Sequence, residues 1–229
     1  MSDGDDTEAK KRRAGERAAR MVGDGDVVGL GTGSTAAYAI EALGDAIESG
    51  LEVSGVPTSY QSRQLALEAG VPLTALDAVD GLDVAIDGAD QVVDGQLIKG
   101  GGGAHTQEKI VDAAADRFVV VVDDGKLAEE LTHPIPVEVV PEGRPTAMDA
   151  LRELGGDPTL RIAGRKDGPV ITQHGNLLLD CEFGRIDRPA EMADELAAIP
   201  GVVEHGLFVD LADEIVVGEP GTVRVEPTE

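Results

Sequence analysis

Short, largely apolar segments that alternate with helical patterns constrain the fold of this 229-residue chain more than any other feature. The segments VVGLG (27–31), LDVAID (82–87) and RFVVVVD (117–123) lack the strict alternation of a strand with one face in water. Strands of this kind are buried on both faces, and helical patterns at residues 34–49 and 59–70 lie between them. This order predicts an α/β fold with a parallel, doubly wound, Rossmann-like sheet.

A second pattern begins near residues 132–145, where prolines interrupt the chain. The elements expected beyond it follow a βαββαβ order, which is a ferredoxin-like arrangement. The final segment, EIVVGEPGTVRVEP (214–227), can return to the first sheet. We therefore expect a Rossmann-like catalytic domain of residues 1–131 and 207–229. A ferredoxin-like α+β domain of residues 132–206 is expected to take part in oligomerisation.

The net charge of −25 limits the possible partners of the chain. A surface this negative repels nucleic acids and anionic membranes, so neither is expected to bind. The acids are spread through most segments, and we interpret them as a surface suited to high salt, where screening weakens self-repulsion. No apolar run is long enough to span a membrane and no apolar leader is present, so the protein is expected in the cytoplasm.

The segment GLGTGSTA (29–36) joins a predicted buried strand to a helix and is a candidate anion site. Free amides, hydroxyls and the helix dipole at such a junction favour bound phosphate. The candidate residues are Thr32, Gly33, Ser34 and Thr35. GTGSTA also fits the dinucleotide fingerprint, but the next strand ends in GVPTS (55–59) without the ribose-binding acid. A phosphate monoester is therefore favoured over a dinucleotide, with a simple capped turn as the alternative.

The segment DGAD (87–90) ends another buried strand, at the side of a parallel sheet where ligands bind. Its carboxylates, Asp87 and Asp90, could bind sugar hydroxyls or hold a divalent cation through oxygen. Alternatively, the two residues could serve only to form a turn. The spacing leaves these three possibilities open.

The segment LIKGGGGAHTQEK (97–109) contains four consecutive glycines, which lose the most backbone entropy on ordering. Bare backbone lets a ligand approach the amides closely. Lys99 can stabilise negative charge that develops on oxygen, and Glu108 can act as a base, although a solvated helix residue is the simpler interpretation. DDGK (123–126) ends the next strand and adds Lys126. All these strand ends are expected on one edge of one sheet.

Together these segments resemble the type A ribose-5-phosphate isomerases. The match continues through HPIPVEV (133–139) and IPGVVEHGLF (199–208), so motifs in the family's order span nearly the whole chain. The resemblance implies reversible isomerisation of D-ribose 5-phosphate and D-ribulose 5-phosphate in the non-oxidative pentose phosphate pathway. It also implies a homodimer or homotetramer that needs neither a cofactor nor a metal.

The resemblance further implies a role for each motif. Glu108 matches the proton acceptor, Lys99 matches a catalytic lysine of the glycine-rich loop, and Asp87 resembles the residue that helps to open the sugar ring. The implied substrate contacts are Thr32, Gly33, Ser34, Thr35, Asp87, Gly88, Ala89, Asp90, Lys99, Gly100, Gly101, Gly102 and Lys126. Two positions depart from the family's usual pattern: Gln91 replaces a frequent Glu, and Gly125 replaces a frequent Ser.

This reaction has a simple physical requirement. An aldose and its ketose differ by a hydrogen moved between adjacent carbons, which one carboxylate can take from C2 and return to C1. The intermediate enediolate needs a cation or amide donors, here Lys99 and the loop. A sugar-phosphate sensor, another phosphosugar isomerase and a deaminase on a similar fold are the alternatives.

Overall fold

The computed structural model describes residues 3–165 and 167–228 of the chain. Within these ranges the chain forms six α-helices. They are α1 (Asp3–Ala19), α2 (Ser34–Glu48), α3 (Tyr60–Glu68), α4 (His105–Ala113), α5 (Arg144–Glu153) and α6 (Pro189–Ala197). None of these described helices is both long enough and apolar enough to cross a membrane.

The same ranges contain thirteen strands arranged in three sheets. They are β1 (Val27–Leu30), β2 (Ser54–Pro57), β3 (Val84–Gly88), β4 (Gln91–Val93), β5 (Gln96–Ile98), β6 (Phe118–Asp123), β7 (Ile135–Val139), β8 (Asp157–Leu160), β9 (Leu177–Glu182), β10 (Val202–His205), β11 (Leu207–Phe208), β12 (Glu214–Glu219) and β13 (Thr222–Pro227). The elements divide into two compact units.

The first unit comprises the described parts of residues 1–89, 107–127 and 211–229. Its six-stranded sheet has the order β13-β12-β6-β3-β1-β2, and all pairs are parallel except β12 with β13. Every residue of β6 is buried, as its unbroken apolar run predicts. The predicted Rossmann-like sheet is confirmed, and β12 and β13 return to it.

The register of this sheet brings three strand ends together. Leu30, the last residue of β1, is paired with Ile86 of β3, and Gly88 at the end of β3 is paired with Val121 of β6. Because these strands are parallel neighbours, the segments that follow β1, β3 and β6 lie along one edge of the sheet.

The second unit comprises the described parts of residues 90–106 and 128–210. It contains a four-stranded antiparallel sheet of order β10-β7-β9-β8 with α5 and α6 in the sequence between strands, which is the predicted βαββαβ order. All five residues of β7 are buried at the centre of this unit's apolar core. A smaller sheet, β11-β5-β4, completes the unit.

The division differs from the predicted domain boundaries at residues 90–106, 128–131 and 207–210, which were expected in the first domain and belong to the second unit. In the structure β5 pairs with β4 and with the distant β11, so residues 90–106 belong to the second unit. Asp94 and Gly95 both have positive φ values, of 46° and 80°, and form the tight turn of the β4–β5 hairpin. An Asp-Gly pair between two short strand-like segments is a strong hairpin signal, and it was available in the sequence.

Candidate active site

The loop after β1 is tied to the end of β3 in the first unit. The amide of Thr32 donates to Oδ1 of Asp87 (2.9 Å), and the amide of Gly88 donates to the same oxygen (2.6 Å). The Thr32 hydroxyl donates to the Ser59 hydroxyl (2.6 Å), and it lies 2.8 Å from the hydroxyl of Thr58. Asp87 is buried and therefore forms part of the loop's framework.

The first turn of α2 begins at this loop. Its N-cap residue is Gly33, with a φ of 105°, and no side chain of the described residues caps the helix. Ser34 is exposed and Thr35 is buried. The Ser/Thr capping expected in the alternative interpretation is therefore wrong, and the helix has backbone amides of the kind that bind anions.

Gly31 shows how closely this loop approaches Asp87. A Cβ atom at Gly31 would lie 2.5 Å from the Cα of Asp87 and would overlap its carboxylate. We expect Gly31→Ala to destabilise the protein by about 1–3 kcal/mol through overpacking and to reduce activity by displacing Asp87. Gly81→Ala is the matched control, because a Cβ there meets nothing within 4 Å. Urea unfolding and steady-state kinetics on both variants check this, and equal effects would contradict it.

Lys126 lies at the same edge of the sheet, in a 3-10 turn of residues 124–126 that follows β6. The turn is fixed at two points. The Asp123 carboxylate accepts a hydrogen bond from the amide of Gly125 (3.0 Å), and Asp124 pairs with Lys10 of α1 (3.0 Å). Gly125, one of the two departures from the family pattern, thus contributes its amide to the turn.

The glycine-rich segment belongs to the second unit, where it follows β5. Lys99 is 1% exposed, and its amide donates to the carbonyl of Gly206 (2.8 Å). Its ammonium group lies 5.3 Å from the centre of the Phe208 ring, within the range of a cation–π interaction. Pairing of β5 with β11 therefore fixes both the backbone and the charged end of Lys99.

The glycines of this loop are needed for two reasons: some adopt positive φ values, and one lies too close to a neighbouring side chain to carry a Cβ atom. Gly100 and Gly103 have φ values of 97° and 79°, which side-chain-bearing residues rarely adopt. A Cβ at Gly101 would lie 2.7 Å from the carboxylate of Asp90, which accepts the Gly101 amide at 2.7 Å. Gly102 is exposed.

Arg161, which the sequence analysis missed, holds the opposite side of this loop. Its guanidinium group donates to the carbonyls of Gly100 (3.3 Å) and Gly101 (3.0 Å) and forms a two-point pair with Asp180 of β9. The loop is thus held by Asp90 through an amide and by Arg161 through carbonyls. No local sequence pattern indicates this contact, because Arg161 and Gly101 lie 60 residues apart.

Glu108 lies in the first turn of α4 and is 4% exposed. The interpretation of Glu108 as a solvated helix residue is therefore wrong. The helix starts with His105 and Thr106 in the second unit and continues in the first from Gln107. Burial of a glutamate in a first helical turn is compatible with a catalytic carboxylate.

Only some of the candidate residues belong to the unit with the parallel sheet, along whose edge all of them were expected. The first unit contributes Thr32, Gly33, Ser34, Thr35, Asp87, Gly88, Ala89, Glu108 and Lys126. The second unit contributes Asp90, Lys99, Gly100, Gly101 and Gly102. The prediction that the glycine-rich loop follows a strand of the parallel sheet is wrong, because β5 belongs to the smaller antiparallel sheet. Among the described residues, no three His, Cys, Asp or Glu side chains are grouped as metal ligands.

Glu138 is a second residue that the motifs did not indicate; it lies in the central strand β7 and is 1% exposed. It accepts hydrogen bonds from three side chains: Thr106 (2.6 Å), Asn176 (2.7 Å) and Thr172 (2.8 Å). Burial raises the pKa of Glu138, but these bonds and the charge of His105 outweigh burial, so its pKa lies below the ordinary 4.5. A lone acid inside the apolar run PVEVV was the available signal.

This lowered pKa predicts a pH-dependent contribution to stability. The stabilisation is complete above the ordinary value of 4.5 and is lost as the pH falls through the lower folded value. At neutral pH, Glu138→Gln should cost about 1–3 kcal/mol, because an amide group replaces an acceptor. Urea unfolding in molar salt should show this difference shrinking below pH 4.5. His105 and His174, which face the carboxylate, are present in both the wild type and the Glu138→Gln variant. A difference in unfolding free energy that stays constant with pH would contradict the lowered pKa of Glu138.

Comparison with known proteins places the chain in a family. The sequence model of ribose 5-phosphate isomerase A (phosphoriboisomerase A) matches residues 54–222. The chain belongs to this family. Ribose-5-phosphate isomerase A of Haloarcula marismortui is 63% identical over 219 residues, which cover 96% of both chains. The protein of the same name from Natronomonas pharaonis is 62% identical and covers 96% of this chain and 97% of its own.

Solved structures of the family agree with the fold. The ribose 5-phosphate isomerase A of Methanocaldococcus jannaschii has 46% identity and a TM-score of 0.93, covering 99% of this chain and all of that one. A D-ribose-5-phosphate isomerase in complex with phospho-erythronic acid has 44% identity and a TM-score of 0.94, covering 96% of this chain and 99% of that one. The Rossmann-like and ferredoxin-like assignments are consistent with these neighbours.

Proposed function

We propose that this chain is a ribose-5-phosphate isomerase, which interconverts D-ribose 5-phosphate and D-ribulose 5-phosphate through an enediolate. The observation that carries the proposal is family membership over nearly the whole chain at up to 63% identity. Burial of Glu108 and Lys99 supports it, because both side chains are polar groups kept from water where the family's motifs place them. The reaction belongs to the non-oxidative pentose phosphate pathway.

In this proposal Glu108 is the base. Its carboxylate takes the proton from C2 of the open-chain aldose and returns it to C1, and the reverse transfer converts the ketose. A single group on one face of the substrate suffices, because the two carbons are adjacent. The buried position of Glu108 in the first turn of α4 supports this role, since proton transfer depends on a carboxylate held within hydrogen-bonding reach of the substrate.

Lys99 and the amides of Gly100 and Gly102 stabilise the negative charge of the enediolate, while the Gly101 amide is held by Asp90. The ammonium group is buried, and its backbone is fixed by Gly206, so little reorganisation is required as charge develops. Arg161 and Asp90 hold the loop by its carbonyls and by the Gly101 amide, respectively. Asp90 contacts sugar hydroxyls through the carboxylate that also accepts that amide.

The phosphate is bound by the residues that follow β1, and the sugar by those that follow β3. The free amides of α2 and the hydroxyls of Ser34 and Thr35 suit a phosphate group. Thr32, whose hydroxyl donates to Ser59, contacts the substrate from the loop that precedes them. Asp87, with Gly88 and Ala89, engages the sugar and helps to open its ring. Lys126, at the same edge of the sheet, supplies a positive charge to the substrate.

We further propose a homodimer or homotetramer in the cytoplasm, with the ferredoxin-like unit taking part in assembly. The exposed apolar residues Ile162 and Ile171 of that unit, 62% and 46% exposed, support a contact surface there. Light scattering coupled to size-exclusion chromatography in molar salt tests the assembly.

The decisive experiment measures ribulose 5-phosphate formation from ribose 5-phosphate, with and without a chelator, in molar salt and in dilute buffer. We expect activity that survives the chelator and is greater in molar salt, because screening relieves repulsion among the acids. Absence of isomerisation by folded protein would overturn the proposed function. Full activity and stability in dilute buffer would overturn the salt hypothesis alone.

A further inference from the structure

Glu138 connects the sheet of the second unit to the start of the helix that carries Glu108. Of its three hydrogen-bond donors, Thr172 and Asn176 lie in the turn before β9, whereas Thr106 is the second residue of α4. The Thr106 bond, at 2.6 Å, is the shortest of the three. The carboxylate therefore joins the rigid centre of the β7 core to the first turn of the helix.

The contact has the properties of a strong anchor. Glu138 is 1% exposed and Thr106 is 7% exposed, so water does not compete with the bond. Hydrogen bonds to an ionised carboxylate are about twice as strong as those between neutral groups. The strand that supplies the carboxylate is paired on both sides, with β9 and with β10, and cannot shift by itself.

Helical geometry links this anchor to the direction of Glu108. Successive residues of an α-helix are rotated by about 100°, so Thr106 and Glu108 project about 200° apart, on opposite faces of the first turn. Holding the Thr106 side chain fixes the rotation of that turn about its axis. The same rotation sets the direction in which the Glu108 side chain projects.

We propose that Glu138 is a positioning residue for the isomerisation, which acts through the Thr106 hydroxyl to orient the carboxylate of Glu108. This inference rests on the proposed function, in which Glu108 is the base. A misoriented base lowers the rate of proton transfer and leaves substrate binding by other residues in place, so the effect falls on kcat and not on KM.

The chain provides a matched control in Thr172. Its hydroxyl donates to the same carboxylate, is also 7% exposed, and additionally accepts the amide of Asn176. Thr172→Val should therefore reduce stability at least as much as Thr106→Val. Only Thr106 lies in the helix of Glu108, so only its replacement should affect catalysis.

The experiment compares kcat, KM and thermal unfolding of the full-length wild type, Thr106→Val, Thr172→Val and Thr106→Ser in molar salt. We expect T106V to lower kcat about tenfold or more with KM within about twofold, whereas T172V keeps kcat within about twofold. T106S, which retains the hydroxyl, should recover most of the lost kcat. Alanine variants at both positions give the same comparison should a valine variant fail to fold.

Three results would overturn the inference: equal kcat for T106V and T172V, a T106S variant as slow as T106V, or a loss confined to KM. The proposed function fails separately, since it is judged by the wild type. If the wild type does not isomerise ribose 5-phosphate, the function is wrong. If the wild type is active and the threonine variants behave alike, only the positioning role is wrong.

Discussion

Replacing Glu108 with glutamine should lower kcat by about 10³-fold while KM for ribose 5-phosphate changes little. Glutamine has nearly the same shape but cannot accept the C2 proton, so binding survives and proton transfer does not. Because Glu108 is buried, the isosteric change also limits disturbance of α4. Steady-state kinetics check the turnover. Loss of deuterium from C2-labelled ribose 5-phosphate to solvent checks the proton transfer itself, and both rates should fall together.

Glu129→Gln is the matched control for this variant, because it removes the same charge from an exposed glutamate. It should retain wild-type kcat, KM and unfolding temperature. Near-wild-type turnover of E108Q, with the control intact, would show that Glu108 is not the base.

Replacing Lys99 with methionine should lower kcat by about 10²–10³-fold, because the enediolate loses the cation that stabilises it. Methionine keeps an unbranched apolar stem against Phe208, so the packing around β5 and β11 is largely preserved. Kinetics in molar salt, together with the unfolding temperature, separate a catalytic effect from a structural one.

Phospho-erythronic acid provides a second measurement on this variant, since a related isomerase has been solved in complex with it. This compound resembles the enediolate because both carry a negative charge on oxygen at the end of the molecule opposite the phosphate. We expect any inhibition of this chain by the compound to be weakened in K99M by a larger factor than KM is raised, because in the proposed mechanism Lys99 interacts more strongly with the charged intermediate than with the uncharged carbonyl end of the substrate. A folded K99M variant with unchanged kcat and unchanged inhibition would refute the assignment.

Lys99→Arg is informative beside K99M. It keeps the charge, but the larger planar guanidinium group does not fit the place of a compact ammonium group that is 1% exposed. We expect K99R to be impaired as well, which would indicate that placement of the charge matters in addition to its presence.

Part of the local geometry of the candidate site was predictable from the sequence. The free amides at α2 follow from Gly33 between an apolar strand and a helix, and burial of Asp87 follows from its position at the end of β3. The burial of Glu108 was not predictable, because a lone glutamate in a polar helical segment is usually solvated. The comparisons support the family assignment and leave the individual roles as predictions.

The two fold types follow from the sequence pattern, because the period of apolar residues decides which faces of a segment can be buried. The five consecutive apolar residues that begin β6 favour a strand covered on both faces, as in a parallel sheet with helices on either side. The order of strands and helices after residue 132 likewise specifies the ferredoxin-like unit.

The contacts that hold the glycine-rich segment are apparent only in the folded protein. The pairing of β5 with β11, the Arg161 contact with Gly101 and the Glu138 contact with Thr106 join residues that are far apart in the chain, by 60 and 32 positions for the two side-chain contacts. Hydrogen bonds of this kind depend on where packing brings two segments, and the local pattern around either partner carries no information about the other. The residues nearest the proposed chemistry were therefore visible in the sequence, and the residues that orient them became visible only in the folded chain.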